Sequence, residues 1–234
     1  KSAVEPFMRT DLSEANREQI GTAIESIWSA NLSLIAGSRN TTADALNEIA
    51  DDLALFEAGA ALDYGFVDGM LYYDQFLNIM KTKLGLEEDG KIKKVSIGNY
   101  TNASKPDGKQ KFQKDKIAVV YAIGPIMTGK GSDEVIGSDR IASAIRKARK
   151  DENVKAIVMR VNSPGGDALA SDVILREALL AKEEKPFVVS MGDVAASGGY
   201  WISCGADKII ADASTITGSI GVLAMIPNMQ DLFN

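Results

Sequence analysis

The run Pro186-Phe187-Val188-Val189-Ser190-Met191, continued by Gly192-Asp193-Val194-Ala195-Ala196-Ser197-Gly198-Gly199, decides the reading of the fold. Residues 186–191 form a short apolar run of strand length, and residues 197–204 read as a short helix. A strand that turns into a helix through a serine and two glycines is where α/β folds place their sites. Working outward, Ile117 to Ile123 and Ala156 to Val161 are two more apolar runs that read as buried strands. Lys208 to Ala211 reads as a fourth strand, and residues 137–150 and 168–182 read as helices between the strands. This alternation predicts a largely parallel sheet covered by helices, with right-handed crossovers.

Before residue 85 the grammar is helical. Ser13 caps a helix expected over 13–36, closed by Gly37. A second helix is expected over 42–62, with Leu46, Ile49, Ala50, Leu53 and Ala54 as its apolar stripe. A third covers 72–84 and stops at Gly85. Residues 85–115 are rich in Lys, Gly, Asn and Asp and read as a linker. The expected organisation is therefore a helical part over 1–84, a linker over 85–115 and an α/β domain over 116–234. The chain opens on Lys1 rather than Met, and Gln230 to Asn234 carries no capping signal. It is expected to be a piece of a longer protein whose other parts hold any targeting or membrane segment.

Composition narrows the chemistry. The 234 residues carry a net charge of −6, which argues against a nucleic-acid partner. There is no histidine, so neither a Ser-His-Asp triad nor a His-ligated metal can be built from this chain. A general base must be a carboxylate, a lysine or a group from another chain. The single Cys204 excludes an intrachain disulfide, and it is expected to be a buried structural thiol. No cofactor or metal is expected.

Two loops offer chemistry. In Ala195-Ala196-Ser197-Gly198-Gly199, backbone N–H groups at a helix start favour negative charge, and the glycines leave room for a substrate. A serine there can attack a carbonyl while the next N–H receives the oxyanion. The five residues resemble a Gly-x-Ser-x-Gly elbow with Ala195 in first place. Taken alone, they fit better a serine that merely caps an ordinary helix. Asn162-Ser163-Pro164-Gly165-Gly166 suits a second oxyanion donor, or a plain strand-to-helix turn. A lysine serving as base must be neutral, which favours apolar surroundings; Lys1, Lys185 and Lys208 are the candidates. Near Ser197, the apolar Met191, Val194, Ala195 and Val222 are expected to shape a pocket for apolar side chains. Gly124-Pro125-Ile126-Met127-Thr128-Gly129-Lys130 imitates the start of a phosphate loop, but Gly131 stands where a Mg²⁺-binding hydroxyl belongs.

Taken in order, Asn162 to Gly166, Ser190 to Ser203, and Thr217-Gly218-Ser219-Ile220-Gly221-Val222 resemble the S49 serine peptidases of the signal peptide peptidase A (protease IV) type. Lys1-Ser2-Ala3-Val4-Glu5-Pro6-Phe7 resembles the segment around that family's catalytic lysine. The resemblance implies a ClpP/crotonase-like spiral of ββα units preceded by a helical segment from a first tandem domain. It implies Ser197 as nucleophile, Lys1 as general base, Gly166 and Gly198 as oxyanion donors, and Ser219 as the hydroxyl that holds the lysine amine. It further implies peptide substrates such as cleaved signal peptides, a homo-oligomer such as a tetramer, and a membrane anchor outside this chain that places the catalytic part outside the cytoplasm. Two other functions fit the residues less well. One is a crotonase-type enzyme acting on acyl-CoA thioesters; the other is a non-catalytic peptide-binding scaffold.

Overall fold

The computed structural model describes residues 2–101, 103 and 114–224. They fall into two compact units, Lys1–Ala30 with Gln113–Asn234, and Asn31–Phe112. Lys1, residues 102 and 104–113 of the expected linker, and residues 225–234 lie outside the described residues.

A 3-10 helix, Ser2–Phe7, leads into helix α1, Glu14–Arg39. Ser13 caps α1 as expected, its Oγ accepting the Asn16 N–H at 3.2 Å. Gly37 does not close the helix. It ends one turn later, where Asn40 takes φ 52° and the Thr41 N–H reaches back to the Ala36 carbonyl at 3.1 Å.

The single helix expected over 42–62 is two: α2, Ala43–Asp51, and α3, Ala58–Asp63. Leu53 takes φ 50°, and the Ala54 N–H closes on the Ile49 carbonyl at 3.0 Å. This is the same left-handed closure as at Asn40, made here by a leucine that a helix stripe would have buried. Leu53 is instead 77% exposed. Helix α4, Tyr73–Lys83, precedes Gly85 at φ 65°. A short helix, α5, Ile97–Thr101, lies within the expected linker.

The remaining elements are β1 Lys116–Ile123, β2 Ile126–Met127, β3 Ile136–Gly137, α6 Ser138–Lys150, β4 Val154–Ser163, α7 Ala168–Glu184, β5 Phe187–Ala196, α8 Gly198–Ser203, β6 Lys208–Ile210 and β7 Ile216–Gly218. The main sheet has the order β1-β4-β5-β6, with β7 also pairing with β5. Every pairing in it is parallel. This is the α/β parallel sheet that the alternation predicts, and a helical region precedes it.

The core follows the two-residue period of the strands. Val120 and Ala122, Ile157, Met159 and Val161, and Phe187, Val189 and Met191 are all buried. They meet Ile141 and Ile145 of α6, Ile174 and Ala178 of α7, and Ile202 of α8. Among the described residues these helices cover one face only. On the other, Ile117, Val119, Tyr121 and Ile123 of β1 are exposed, so β1 is not the fully buried strand expected. An unbroken apolar run cannot say which of its two faces has a partner.

The end of β5 is the feature that matters for function. Val161 pairs with Met191, but the next pair is Ser163 with Ala195. Two steps on β4 therefore face four on β5, and the surplus bulges at Gly192–Val194. Asn162 bridges the gap, its Oδ1 accepting the Val194 N–H at 3.0 Å. A bulge of this kind bends a strand and re-aims the residues beyond it.

Phe187 anchors this sheet, with no exposed surface. Phe187→Ala is expected to lower stability by about 3–5 kcal/mol, the usual cost of emptying such a site. Urea unfolding followed by circular dichroism checks this; an unchanged midpoint would contradict the core assignment.

Candidate active site

The bulged β5 delivers Ser197 into a strained turn. Ser197 has φ 52° and ψ −118°, a conformation L-residues avoid. Holding it costs about 1–3 kcal/mol, which the surroundings must offset. Three contacts do so. The Ser197 N–H donates to the Gly218 carbonyl of β7 at 2.8 Å, and the Ser197 carbonyl accepts from the Trp201 N–H at 2.8 Å. Gly165 packs against the turn from the other side. A Cβ on Gly165 would lie 2.8 Å from the Ser197 Cβ and 2.6 Å from the Gly198 nitrogen. Only glycine fits there, and its φ of 101° separately favours glycine.

The loop that carries Gly165 is itself tied down. Ser163, fully buried, accepts the Gly165 N–H on its Oγ at 3.1 Å. The Gly165 carbonyl accepts from the Ile126 N–H, and the Ile126 carbonyl accepts from the Asp167 N–H, each at 2.9 Å. Ile126 thus pairs with Gly166 as an added strand over the loop. A Cβ on Gly166 would meet the Ile126 carbonyl oxygen at 2.1 Å.

These constraints bring Gly166 and Gly198 together. The position of a Cβ on Gly198 is 3.1 Å from the Gly166 nitrogen. Among the described residues neither amide donates a hydrogen bond. Gly198 is the first residue of α8, where N–H groups have no intrahelical acceptor. Two free donors beside one serine form an arrangement able to receive an oxyanion. The side chain of Asp167 is committed elsewhere, accepting the Ala170 N–H at 2.7 Å as the cap of α7.

Ser219 follows β7, in which Gly218 pairs with Ala196. Ser197 and Ser219 are thus the next residues after a matched pair. Ser219 also takes φ 52°, and its side chain is exposed. Thr217 fixes β7 to β5, its Oγ1 donating to the Ala195 carbonyl at 2.8 Å. Nothing in the sequence marks Thr217 or Ser163 beyond their places inside the two motifs.

Of the three lysines considered, two are placed away from Ser197. Lys185 donates its amine to the Ala148 and Asp151 carbonyls, at 2.9 and 2.6 Å, closing the end of α6. Lys208 pairs with Val188 near the start of β5. Val188 lies nine positions before Ser197, on the far side of the Gly192–Val194 bulge, near the opposite end of the strand. Neither amine serves Ser197 from there. Lys1 lies outside the described residues.

Two cavities meet at Ser197. One, of about 380 Å³, is lined by Gly166, Gly198, Trp201, Val222 and Leu223 among others. The second, of about 200 Å³, is lined by Tyr200, Trp201, Cys204 and Ile220. The expected lining is corrected in part. Val222 is there, but Met191 and Ala195 point into the core. Val194 is half-buried and lines neither cavity; most of the cavity wall comes from α8 and the segment after β7. Cys204 is likewise exposed at the end of α8 rather than buried. The segment that imitates a phosphate loop is a tight turn over the site: α6 begins only at Ser138, and a Cβ on Gly124 would strike the Glu134 carbonyl oxygen at 1.9 Å.

Comparison with known proteins adds the family. The model of peptidase family S49 matches residues 1–87 and 180–234. Protease 4 of Haemophilus influenzae is 39% identical over 240 residues, covering 99% of this chain and 39% of that protein. Protease 4 of Salmonella typhi is 38% identical over 244 residues, with 99% and 38% covered. The chloroplastic serine protease SPPA of Arabidopsis thaliana is 34% identical over 227 residues, with 95% and 33% covered. The chain spans two fifths or less of the length of these relatives. A ClpP1 mutant from Listeria monocytogenes shares 20% identity, with a TM-score of 0.32 over 38% of this chain and 46% of that one. Matched by the family model over more than half of its length, with the Ser197 junction inside the matched residues, the chain belongs to peptidase family S49.

Proposed function

We propose that the full-length protein is a serine endopeptidase with a Ser–Lys dyad, acting on cleaved signal peptides and similar apolar segments. The observation that carries the reading is the strained Ser197 turn, packed against Gly165 with the free amides of Gly166 and Gly198 beside it. Ser197 Oγ attacks the scissile carbonyl carbon as its proton passes to the neutral Lys1 amine. The carbonyl oxygen becomes an oxyanion held by the two amides. Collapse of the adduct breaks the C–N bond, and the lysine ammonium returns the proton to the leaving amine. Water, deprotonated by the same amine, then attacks the acyl carbon; the C–Oγ bond breaks, and the lysine ammonium returns the proton to Ser197 Oγ. Ser219 orients the lysine amine.

Support for Lys1 comes from the family match, which begins at residue 1, and from elimination of Lys185 and Lys208 on position. The largely apolar wall of the smaller cavity, contributed by Tyr200, Trp201 and Ile220, supports an apolar substrate side chain. A homo-oligomer such as a tetramer, with membrane attachment through a segment outside this chain and the catalytic part outside the cytoplasm, completes the reading. No helix of the described residues is long and apolar enough to cross a membrane.

Three outcomes test this reading in the full-length protein. Ser197→Ala should remove peptide hydrolysis by several orders of magnitude while circular dichroism stays that of the wild type; wild-type turnover by a folded variant would refute the nucleophile. Gly165→Ala should slow hydrolysis at least tenfold, since its Cβ displaces the Ser197 turn and about 1 Å of misplacement costs that much or more; unchanged kcat would contradict the packing argument. The third is the pH profile. Lysine titrates ordinarily near ~10.4, so activity should rise along a single limb as the Lys1 proton is lost. Lys1→Arg should be inactive throughout because guanidinium stays charged, and a wild-type profile from that variant would sink the dyad.

A further inference from the structure

The 3-10 helix that comes directly after Lys1 is fastened by one carboxylate. Glu5 Oε1 accepts from the Ser13 hydroxyl at 2.6 Å. Its Oε2 accepts from the Ser13 N–H at 3.2 Å and from Asn16 Nδ2 at 3.0 Å. Ser13 and Asn16 are the cap and third residue of α1, so the carboxylate sits at that helix's positive end. Asn16 is only 7% exposed. All three groups donate to Glu5, and two of them are N–H groups that can only donate; a carboxamide keeps those two on its oxygen but carries no charge at the helix start and forces the Ser13 hydroxyl to turn from donor to acceptor. Arg9 is the charged group near Glu5 that also favours its ionised form, and Arg9 pairs in turn with Asp11 at 3.0 Å.

The Ser13 hydroxyl does most to hold the Glu5 carboxyl below its ordinary 4.5, ahead of the opposing cost of burial. A group lowered in this way contributes in full above its ordinary value. It is lost only as pH falls through the lower folded value. The clamp therefore stays intact wherever a lysine base works.

We propose that Glu5 is a positioning residue: by clamping the helix Ser2–Phe7 to the start of α1, it fixes the backbone from which the Lys1 amine reaches Ser197. This rests on the dyad proposed above. A lysine amine sits on a flexible four-carbon stem, so its aim depends on an immobile backbone. The carboxylate reaches donors eight and eleven residues along the chain, which ties down a segment only six residues long.

A double-mutant cycle on the full-length protein tests it. The readout is the second-order rate at which a fluorophosphonate labels Ser197, which stays measurable when activity is low. Glu5→Gln should slow labelling about tenfold or more with Lys1 present. Lys1→Ala should slow it about a hundredfold or more, the usual worth of a general base. In the Lys1→Ala background, Glu5→Gln should add less than about twofold, because coupled residues are not additive. Ser13→Ala should repeat the pattern, and it carries the cycle if Glu5→Gln does not fold by circular dichroism. The proposal is overturned if Glu5→Gln slows labelling equally in both backgrounds, which marks general damage, or has no effect beside Lys1. Labelling of Lys1→Ala at the wild-type rate overturns the dyad itself, a distinct result.

Discussion

The site depends on the contact between Gly165 and the Ser197 turn. Ser197 is held at φ 52°, ψ −118°, where its own backbone strain pushes it away. It stays because β7 takes its N–H, α8 takes its carbonyl, and Gly165 leaves no space behind it. The same contact sets the distance between the two loops, and with it the approach of the Gly166 and Gly198 amides. The neighbouring features serve this contact. The bulge at Gly192–Val194 aims β5, Asn162 spans the bulge, Ser163 shapes the glycine turn, and Ile126 straps it from above. Strain concentrated at one serine and offset by a rigid sheet is the expected signature of a preorganised nucleophile.

The second constraint is chemical. These 234 residues hold no histidine, so a base drawn from them has an ordinary pKa far from neutral. A lysine becomes useful only when neutral and well aimed, which demands more from its surroundings than an imidazole does. Under the proposed dyad, the cluster of Glu5, Ser13 and Asn16 answers the aiming requirement with groups that carry no reacting atom. The proposed mechanism would therefore rely on two separate rigidities, a strained turn for the nucleophile and a clamped helix for the base.

Much of the α/β part is legible in the sequence. Apolar runs ending in glycine motifs locate β1, β4 and β5, and the helical patterns locate α6 and α7. The loops around Ser197 and Gly166 stand out because glycine there answers a backbone need. The parts that stay hidden have physical causes. The break at Leu53 depends on a leucine accepting a left-handed conformation, which no composition rule predicts. The two- and three-residue strands β2, β3 and β7 are too short to show a period. Continuous apolar runs conceal the fact that one face of β1 is open. Met191 and Ala195 lie close to Ser197 in sequence, yet the strand turns their side chains into the core and away from the cavity. The role of Lys1 rests on the resemblance, since spacing alone does not choose it over Lys185 and Lys208.

The central claim is that the Ser197 turn presents an activated nucleophile. Its most direct test is to react the full-length protein with a fluorophosphonate at stoichiometric excess, digest it, and locate the adduct by peptide mass spectrometry. The account predicts a single phosphonylated residue, Ser197, with activity lost in proportion to its modification. Complete retention of activity with no adduct, or loss of activity through an adduct on a different residue, would contradict it.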